Sequence, residues 1–116
     1  MSVRVLRPQE ASVWMVGRKG RSMCGVIIEV RVNPSREEEA RSMLRDMIVP
    51  RAKTHRGFAA GYWLRALHGD VLRSVQLFDT EANALAKADQ IRAEGPPPGA
   101  PVTLTTVDTY EVIAQV

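Results

Sequence analysis

Ser74 and Gln76 are the residues whose types and spacing most readily suggest a binding chemistry. They lie two positions apart in a strand-like stretch, VLRSVQLF, so both side chains fall on one face of a strand. A hydroxyl or an amide that is buried among apolar neighbours is costly unless it makes hydrogen bonds. Two interpretations follow: the two groups bond to each other, to Tyr62 or to water, or they orient a small ligand.

The other residue types with chemical potential do not form a recognisable site. No spacing of cysteine and histidine suits zinc, and neither a P-loop nor a dinucleotide fingerprint is present. Ser74, His68 and Asp70 could supply a hydrolytic triad, but neighbouring positions on one hairpin do not converge as a triad must. Cys24 lacks an obvious activating base and is interpreted as a small buried or strand-end thiol. His55, in the basic connection RAKTHR, is interpreted as a surface-loop histidine.

Length and composition indicate one globular domain with an uneven charge. The chain has 116 residues, of which 45% are hydrophobic and 25% are charged. Residues 1–23 carry five basic side chains and one acidic one, whereas the remainder carries 11 basic and 12 acidic ones. The net positive charge therefore belongs to the N-terminal arm, and nucleic-acid binding by the domain is not expected. With one cysteine and no apolar run near the roughly 20 residues of a membrane span, a cytoplasmic protein without membrane contact is expected.

The sequence divides into an irregular basic arm, residues 1–22, and a domain, residues 23–116. The arm shows neither a strand period nor a helix period. Three interpretations of it stay open. In the first, it is a flexible arm or an over-long start. In the second, Val13 and Trp14 pack onto the domain or across a dimer. In the third, the Arg18-Lys19-Gly20-Arg21 cluster contacts an anionic partner.

The domain is predicted to follow the order β-α-β-β-α-β. Strands are expected over residues 23–32, 57–67, 71–78 and, in a long β-rich segment, 102–116. The first helix is expected to open at Ser35, with Glu38 completing a capping box, and to stop at Pro50. Asp79 or Thr80 should cap the second helix, which runs to about Ala93. Its apolar stripe is expected to be Ala84, Leu85, Ala88 and Ile91.

This order predicts an α+β fold, a ferredoxin-like βαββαβ sandwich with a four-stranded antiparallel sheet and two helices on one face. The other face of the sheet has no cover within the chain. Alternation places five large apolar residues there, among charged ones, and these are the predicted dimer-interface residues: Ile27, Trp63, Val71, Val75 and Leu77. An uncovered apolar face of this size is a liability for a monomer, so a homodimer that pairs two sheets is expected.

At this point residues 23–116 resemble the dimeric α+β barrel proteins of the antibiotic-biosynthesis-monooxygenase type. The resemblance is carried by Gly57-Phe58 opening the second strand, by VQLFDTEA over residues 75–82, and by Tyr110-Glu111-Val112 in the last strand. These motifs are structural, so they support the fold more than the activity.

The resemblance implies either a cofactor-free oxygenase or a haem-degrading enzyme, or a protein without a known reaction. The haem-degrading branch uses an asparagine on the first strand, a tryptophan ending the third and a histidine ligand in or near the second helix. Ile28 and Phe78 stand at the first two positions here, and no histidine follows His68. The chain departs from that branch, so no cofactor and no metal are expected.

In the cofactor-free oxygenases, the resemblance implies a pocket between sheet and helices. The ligand-pocket candidates that this implies are Tyr62, Ser74, Gln76, Phe78, Phe58 and Asp108, the last as an alternative to Tyr110. The first functional hypothesis is a small-molecule-binding protein, a cofactor-independent monooxygenase acting on a quinol-like or polyketide-like aromatic. The alternative is a non-catalytic homodimeric module with a structural or macromolecule-binding role. A β-bulge would invert the strand faces and exchange Trp63 with Tyr62.

Overall fold

The computed structural model describes residues 23–116, and the arm over residues 1–22, with its three interpretations, lies outside the described residues. Four strands form one antiparallel sheet in the order β2-β3-β1-β4. Their bounds are β1 Cys24–Val32, β2 Phe58–Arg65, β3 Val71–Phe78 and β4 Val102–Glu111. This is the ferredoxin-like α+β sandwich that the sequence predicts. The last strand is shorter than expected, since residues 112–116 lie beyond it.

The first helical segment, α1 over residues 34–53, is continuous but changes its pitch three times. A 3₁₀ turn, Pro34–Arg36, leads into α-helix Glu37–Met43, then a π-helical turn, Leu44–Ile48, and α-helix Val49–Lys53. Asn33 provides the cap: its side chain accepts hydrogen bonds from the Ser35 amide and hydroxyl at 3.1 and 2.8 Å. The predicted capping box of Ser35 and Glu38 is therefore wrong, because the cap is Asn33 and the helical segment begins two residues earlier than that motif requires.

The prediction that Pro50 ends this helix is also wrong. Pro50 stands in the first turn of the final segment, Val49–Lys53, directly after the π-helical turn. A proline lacks the N–H that a regular helix would use, and a local change to i→i+5 bonding is a known way to absorb that loss. The helix therefore continues for a further turn and carries Arg51, Ala52 and the following His55 towards the sheet.

The second helix, α2 Glu81–Glu94, follows β3 after two residues. Thr80 caps it, since its hydroxyl accepts a hydrogen bond from the Asn83 amide at 3.1 Å. Ala84 and Ala88 are fully buried, so α2 lies directly on β1, β3 and β4. Leu85, which was expected in the buried stripe, is 40% exposed, whereas Lys87 is only 8% exposed.

A β-bulge at Ala59 decides which side chains of β2 face the helices. Phe58 lies opposite Phe78, but Ala60 lies opposite Leu77, so one residue of β2 is unpaired and the alternation shifts. Trp63 is consequently opposite Ser74, on the helix side, and Tyr62 is opposite Val75, on the uncovered side. The predicted faces of these two aromatic residues are therefore wrong. The structure contains the β-bulge that was considered as the alternative, and this bulge exchanges the two faces.

Gly61 makes room for the inverted tryptophan. A Cβ at this position would lie 2.9 Å from two ring atoms of Trp63 and 3.0 Å from the Phe58 ring. The indole therefore lies over the glycine, as aromatic side chains often do on sheets.

The hydrophobic core lies between the sheet and α2. Its buried members are Cys24, Val26, Ile28, Phe78, Ala84, Ala88 and Val107. Phe78 is fully buried and meets the Phe58 ring edge to face, with ring centres 6.0 Å apart. Among residues 23–116, no helix is long and apolar enough to cross a membrane.

Within residues 23–116, no helix covers the opposite face of the sheet. Register places Ile27, Val71, Val75 and Leu77 on it, and all four are partly exposed. Tyr62, Leu64 and Tyr110 share this face and are 60%, 51% and 52% exposed. Two ion pairs cross the strands among them, Arg73 with Glu29 and Arg31 with Asp70.

Candidate functional site

A cavity of about 810 Å³ separates α1 from the sheet and from α2. It exists because α2 lies flat on the strands while α1 makes only sparse contact with them. Small residues let α2 approach the sheet, whereas the inward face of α1 carries methionine and leucine side chains that stop short of it. The volume falls within the usual range for small-molecule sites.

Most of the cavity wall is apolar. The larger apolar side chains on it are Ile28, Val30, Met43, Leu44, Met47, Ile48, Trp63, Leu72, Ile91, Val102 and Leu104. Thioether and branched aliphatic groups can adapt to ligands of different shape, and the indole of Trp63 offers a flat surface. The apolar part of the wall therefore suits a hydrophobic, flat molecule.

Ser74 and Gln76 bring polar groups to the floor of the cavity. Both are buried, at 4% and 2% exposure, and the Gln76 Nε2 donates to Ser74 Oγ at 3.3 Å. The Gln76 Oε1 has no hydrogen-bond partner among the described residues. Whichever amide atom faces Ser74, the other one stays unpaired, because the serine reaches only one of them. A buried amide of this kind is satisfied when a ligand or a water supplies the missing group.

His55 connects the end of α1 to α2. Its Nε2 lies 3.1 Å from Gln90 Oε1, which can only accept, so Nε2 is the donor. Its ring meets Phe78 edge to face with centres 5.5 Å apart. The Nδ1 is buried and has no partner among the described residues. The interpretation of His55 as a surface-loop histidine is wrong, because α1 extends past Pro50 and turns the ring inward against the core.

Lys87 is the charged side chain of the cavity wall that is most deeply buried. Only 8% of it is exposed, and among residues 23–116 it makes no hydrogen bond and no ion pair. Burial lowers its pKa, and the positive charge of Arg51 lowers it further, while Glu94 acts weakly in the opposite direction. The stem is the buried part, and the ammonium nitrogen opens onto the cavity, because it is not among the fully buried atoms that lack a partner. No described side chain compensates its charge there.

The predicted pocket residues divide into three groups. Ser74 and Gln76 line the cavity. Phe58 and Phe78 lie on the helix side but pack in the core, away from the cavity wall. Tyr62 and Asp108 are exposed on the uncovered face of the sheet. The bulge in β2 turns Tyr62 to that face, and Asp108 lies there because it pairs with Ile27. Trp63, predicted for a dimer interface, lines the cavity instead.

Several polar residues of the wall were not predicted from the sequence to lie at the site: Arg51, Thr54, His55, Arg56, Lys87, Gln90 and Glu94. Arg51 and His55 were missed because Pro50 was taken as the end of α1. Lys87 and Gln90 stand three residues apart on α2, and helical spacing does place them on one face with Ala84, Ala88 and Ile91. Their position beside the apolar stripe was the feature of the sequence that could have indicated that both face inward.

Cys24 and the acidic side chains do not supply a second reactive site. Burial raises the pKa of the Cys24 thiol, and the carboxylates of Glu81 and Glu111 raise it further, so the thiolate is disfavoured. Cys24 is a buried thiol, as its position in the sequence indicates. Within the described range 23–116, no three His, Cys, Asp or Glu side chains are grouped so as to hold a metal ion.

Comparison with known proteins gives a likeness of fold. No protein-family model matches the chain, and no curated protein matches it significantly. A structure of the heme-degrader MhuD from Mycobacterium tuberculosis, with two hemes bound in its active site, has a TM-score of 0.60 and 20% identity, covering 80% of this chain and 98% of that one. A protein of unknown function from Nitrosomonas europaea has a TM-score of 0.59 and 16% identity, covering 84% and 95%. These likenesses confirm, at the level of the fold, the resemblance noted in the sequence.

The cavity residues do not fit a haem held by an axial histidine. His55 is the histidine on the cavity wall. Its Nε2 is hydrogen-bonded to Gln90, and its Nδ1 is buried. Neither is presented as a free ligand for iron. The position of His55 is thus a further difference from the haem-degrading pattern, besides Ile28 and Phe78, which stand where that pattern has asparagine and tryptophan.

Proposed function

We propose that this chain is a small-molecule-binding protein whose ligand lies in the cavity between the sheet and the helices. We further propose that it acts as a cofactor-independent monooxygenase on a quinol-like or polyketide-like aromatic. The observation that carries the proposal is the unpaired Oε1 of Gln76, a side chain that is 98% buried at the floor of a large and mostly apolar cavity. Apolar walls with a few convergent polar groups are the usual form of a ligand site.

A flat aromatic ligand suits the walls. Trp63 offers an indole face, and the thioethers of Met43 and Met47 make favourable contacts with aromatic rings. The neighbour of the same fold that is a heme-degrader holds flat aromatic molecules in its active site, which supports this class of ligand.

The oxidation needs no electrons from the protein. An activated CH₂ between two aryl groups loses two hydrogens and gains one oxygen atom of O₂ as a carbonyl, and the second oxygen atom leaves as water. The protein has to bind the ring, exclude water and stabilise the anion that reacts with O₂. In this chain the Ser74 hydroxyl would donate to an oxygen of the ligand, and the Gln76 Oε1 would accept from a ligand hydroxyl. The basic side chains on the wall would favour the anion.

Oxygen uptake tests this function with a matched pair of variants. The full chain is assayed with a panel of anthrones and quinols, as wild type, as Gln76→Ala and as Tyr62→Phe. We expect Gln76→Ala to lower kcat/KM by about 10-fold or more, since a hydrogen bond in the transition state is lost. Tyr62→Phe should leave turnover unchanged, because this residue lies on the opposite face. Equal turnover in all three proteins, or no turnover with any compound, would contradict the proposed reaction.

The alternative, a non-catalytic homodimeric module, is favoured by a different observation. Ile27, Val75, Leu77 and the more exposed Leu64 and Tyr62 form one apolar area on the face that no helix covers. We propose that two copies pair through this face, as the residues suggested. Pairing is compatible with either function, because the cavity lies on the other side of the sheet.

A further inference from the structure

We propose that the ligand of the cavity is an organic acid, with an apolar body against the methionine and leucine side chains and a carboxylate bound by Lys87, with Arg51 as the second cation. This inference rests on the proposed function to the extent that the cavity must bind a ligand. It adds the chemical class of that ligand and the residue that selects it.

The first argument is the isolation of the Lys87 ammonium group. Lys87 is 92% buried on the cavity wall, and among residues 23–116 it has neither a hydrogen-bond partner nor a carboxylate within ion-pair distance. The stem carries most of this burial, and the ammonium nitrogen is reached from the cavity, since it is not one of the fully buried atoms that lack a partner. A cation that opens into a largely apolar cavity with no anion beside it favours a ligand that carries one. An acidic ligand that enters the cavity would supply that anion.

The second argument is the balance of charge around the cavity. The ionisable side chains on its wall are Arg51, His55, Arg56, Lys87 and Glu94. The strands contribute no charged group to it, so the charges come from the end of α1 and from α2. Among residues 23–116, three strongly basic groups on the wall therefore stand against one carboxylate. Arg51, Arg56 and Glu94 are exposed, and Lys87 is the buried one. The wall is net positive, which attracts an anionic ligand.

The third argument favours a carboxylate over a phosphate. A phosphate dianion is usually held by several N–H donors, often at a helix N-terminus, together with arginine or lysine. Here the cavity presents the side of α2 and the C-terminal end of α1, with one lysine, Arg51 nearby and a largely apolar remainder. One ammonium group beside an apolar wall matches a monoanion that carries a hydrophobic body.

Two naphthalene probes that differ only in charge test the inference. Isothermal titration calorimetry on the full chain at pH 7 compares 2-naphthoate with neutral 2-naphthamide. We expect 2-naphthoate to bind about 10- to 100-fold more tightly, the usual gain from a charge-assisted hydrogen bond in a buried site. Lys87→Met should abolish this difference, and Lys87→Arg should retain most of it.

Lys53→Met is the matched control, because Lys53 is exposed at the end of α1 and does not line the cavity. It should bind both probes as the wild type does. A second measurement needs no variant: the affinity for 2-naphthoate should fall as pH rises through the lowered pKa of Lys87, while that for 2-naphthamide stays constant.

The outcomes separate this inference from the proposed function. If both probes bind equally well, the cavity is a ligand site but the carboxylate preference is refuted. If 2-naphthoate binds more tightly in Lys87→Met as well, another group holds the anion and the role of Lys87 is refuted. If neither probe binds, the inference and the proposed ligand site fail together.

Discussion

Lys87 shows how one buried side chain can oppose folding while serving a site. Its neighbours on α2, Ala84 and Ala88, are small and let the helix reach the sheet, so the lysine stem is drawn into the same buried stripe. The aliphatic stem gains from that burial, but the ammonium group keeps only the water that the cavity supplies. The positive charge of Arg51 adds repulsion rather than relief. Lys87 is therefore better explained by a role in ligand binding than by a contribution to the stability of the fold.

We therefore predict that Lys87→Met stabilises the unliganded protein. Methionine retains the length of the stem and removes the unpaired charge, so the free energy of unfolding should rise by about 0.5–1.5 kcal/mol at pH 7, a gain limited by the water that reaches the ammonium group from the cavity. Urea denaturation measures the change, and Lys53→Met, on the exposed end of α1, should stay within about 0.5 kcal/mol of wild type. A destabilised Lys87→Met protein would show that the ammonium group has a stabilising partner after all.

The pH dependence has a defined sign. Because the pKa of Lys87 is lower in the folded protein, the folded state binds fewer protons than the unfolded state between the two pKa values. The cost of Lys87 is fully present below the folded pKa, and the protein gains stability as pH rises towards the ordinary lysine range. This rise should be absent in Lys87→Met, which the same denaturation series at several pH values would reveal.

Individual residues of the cavity were only partly predictable from the sequence. Ser74 and Gln76 were found because polar residues on the inward face of an apolar strand are unusual. Lys87 was missed because a lysine on a helix is normally solvated, and burial depends on how far α2 lies over the sheet. His55 was missed because its position depends on the path of α1 after Pro50, which a tertiary contact with Phe78 and a bond to Gln90 determine.

At the scale of elements, the types of strands and helices followed from hydrophobic period and capping residues, and β3 was predicted to the residue. The irregular features were not predictable in the same way. A π-helical turn allows α1 to pass Pro50, and a single unpaired residue, Ala59, inverts the rest of β2. Both irregularities act on the cavity: the first brings Arg51 and His55 to its wall, and the second brings Trp63. Local sequence permits such a bulge but does not demand one.

The turn between α1 and β2 depends on Gly57. Its φ is +80°, and a Cβ there would collide with the side chains of Asp79 and Asn83, which bond to each other at 2.8 Å. Its carbonyl also accepts the Asp79 amide at 2.9 Å, which ties the start of β2 to the start of α2. The close approach of these two segments therefore requires the absence of a side chain.

We predict that Gly57→Ala destabilises the fold more than Gly69→Ala does. Gly69 has a similar φ of +91° but open space around its Cα, so alanine there measures backbone strain alone, roughly 1 kcal/mol. Gly57→Ala adds the collision, and a total loss of about 2–4 kcal/mol is expected. Thermal denaturation of both variants supplies the comparison. Equal losses would mean that Asp79 and Asn83 move aside without cost.

At the scale of the whole molecule, the sheet divides the protein into a side with a cavity and a side without a cover. The uncovered side carries aliphatic residues at its centre, where Val75 lies opposite both Ile27 and Tyr62, and ion pairs such as Glu29 with Arg73 around them. An apolar centre with a charged surround is the usual composition of a protein interface. The order of strands and helices determines the fold, whereas pairing of two sheets depends on side chains of a second copy.

We predict that the protein is a homodimer in solution and that Val75→Lys converts it to a folded monomer. A lysine at the centre of two apposed sheets would meet its symmetry mate and bury charge, whereas in a monomer it would simply be solvated, since Val75 is partly exposed already. Size-exclusion chromatography with light scattering gives the mass, and circular dichroism checks the fold. Leu67→Lys is the control: Leu67 is 95% exposed in the β2–β3 turn, so it should remain dimeric. A monomeric wild type, or a Val75→Lys protein that stays dimeric, would place the interface elsewhere or remove it.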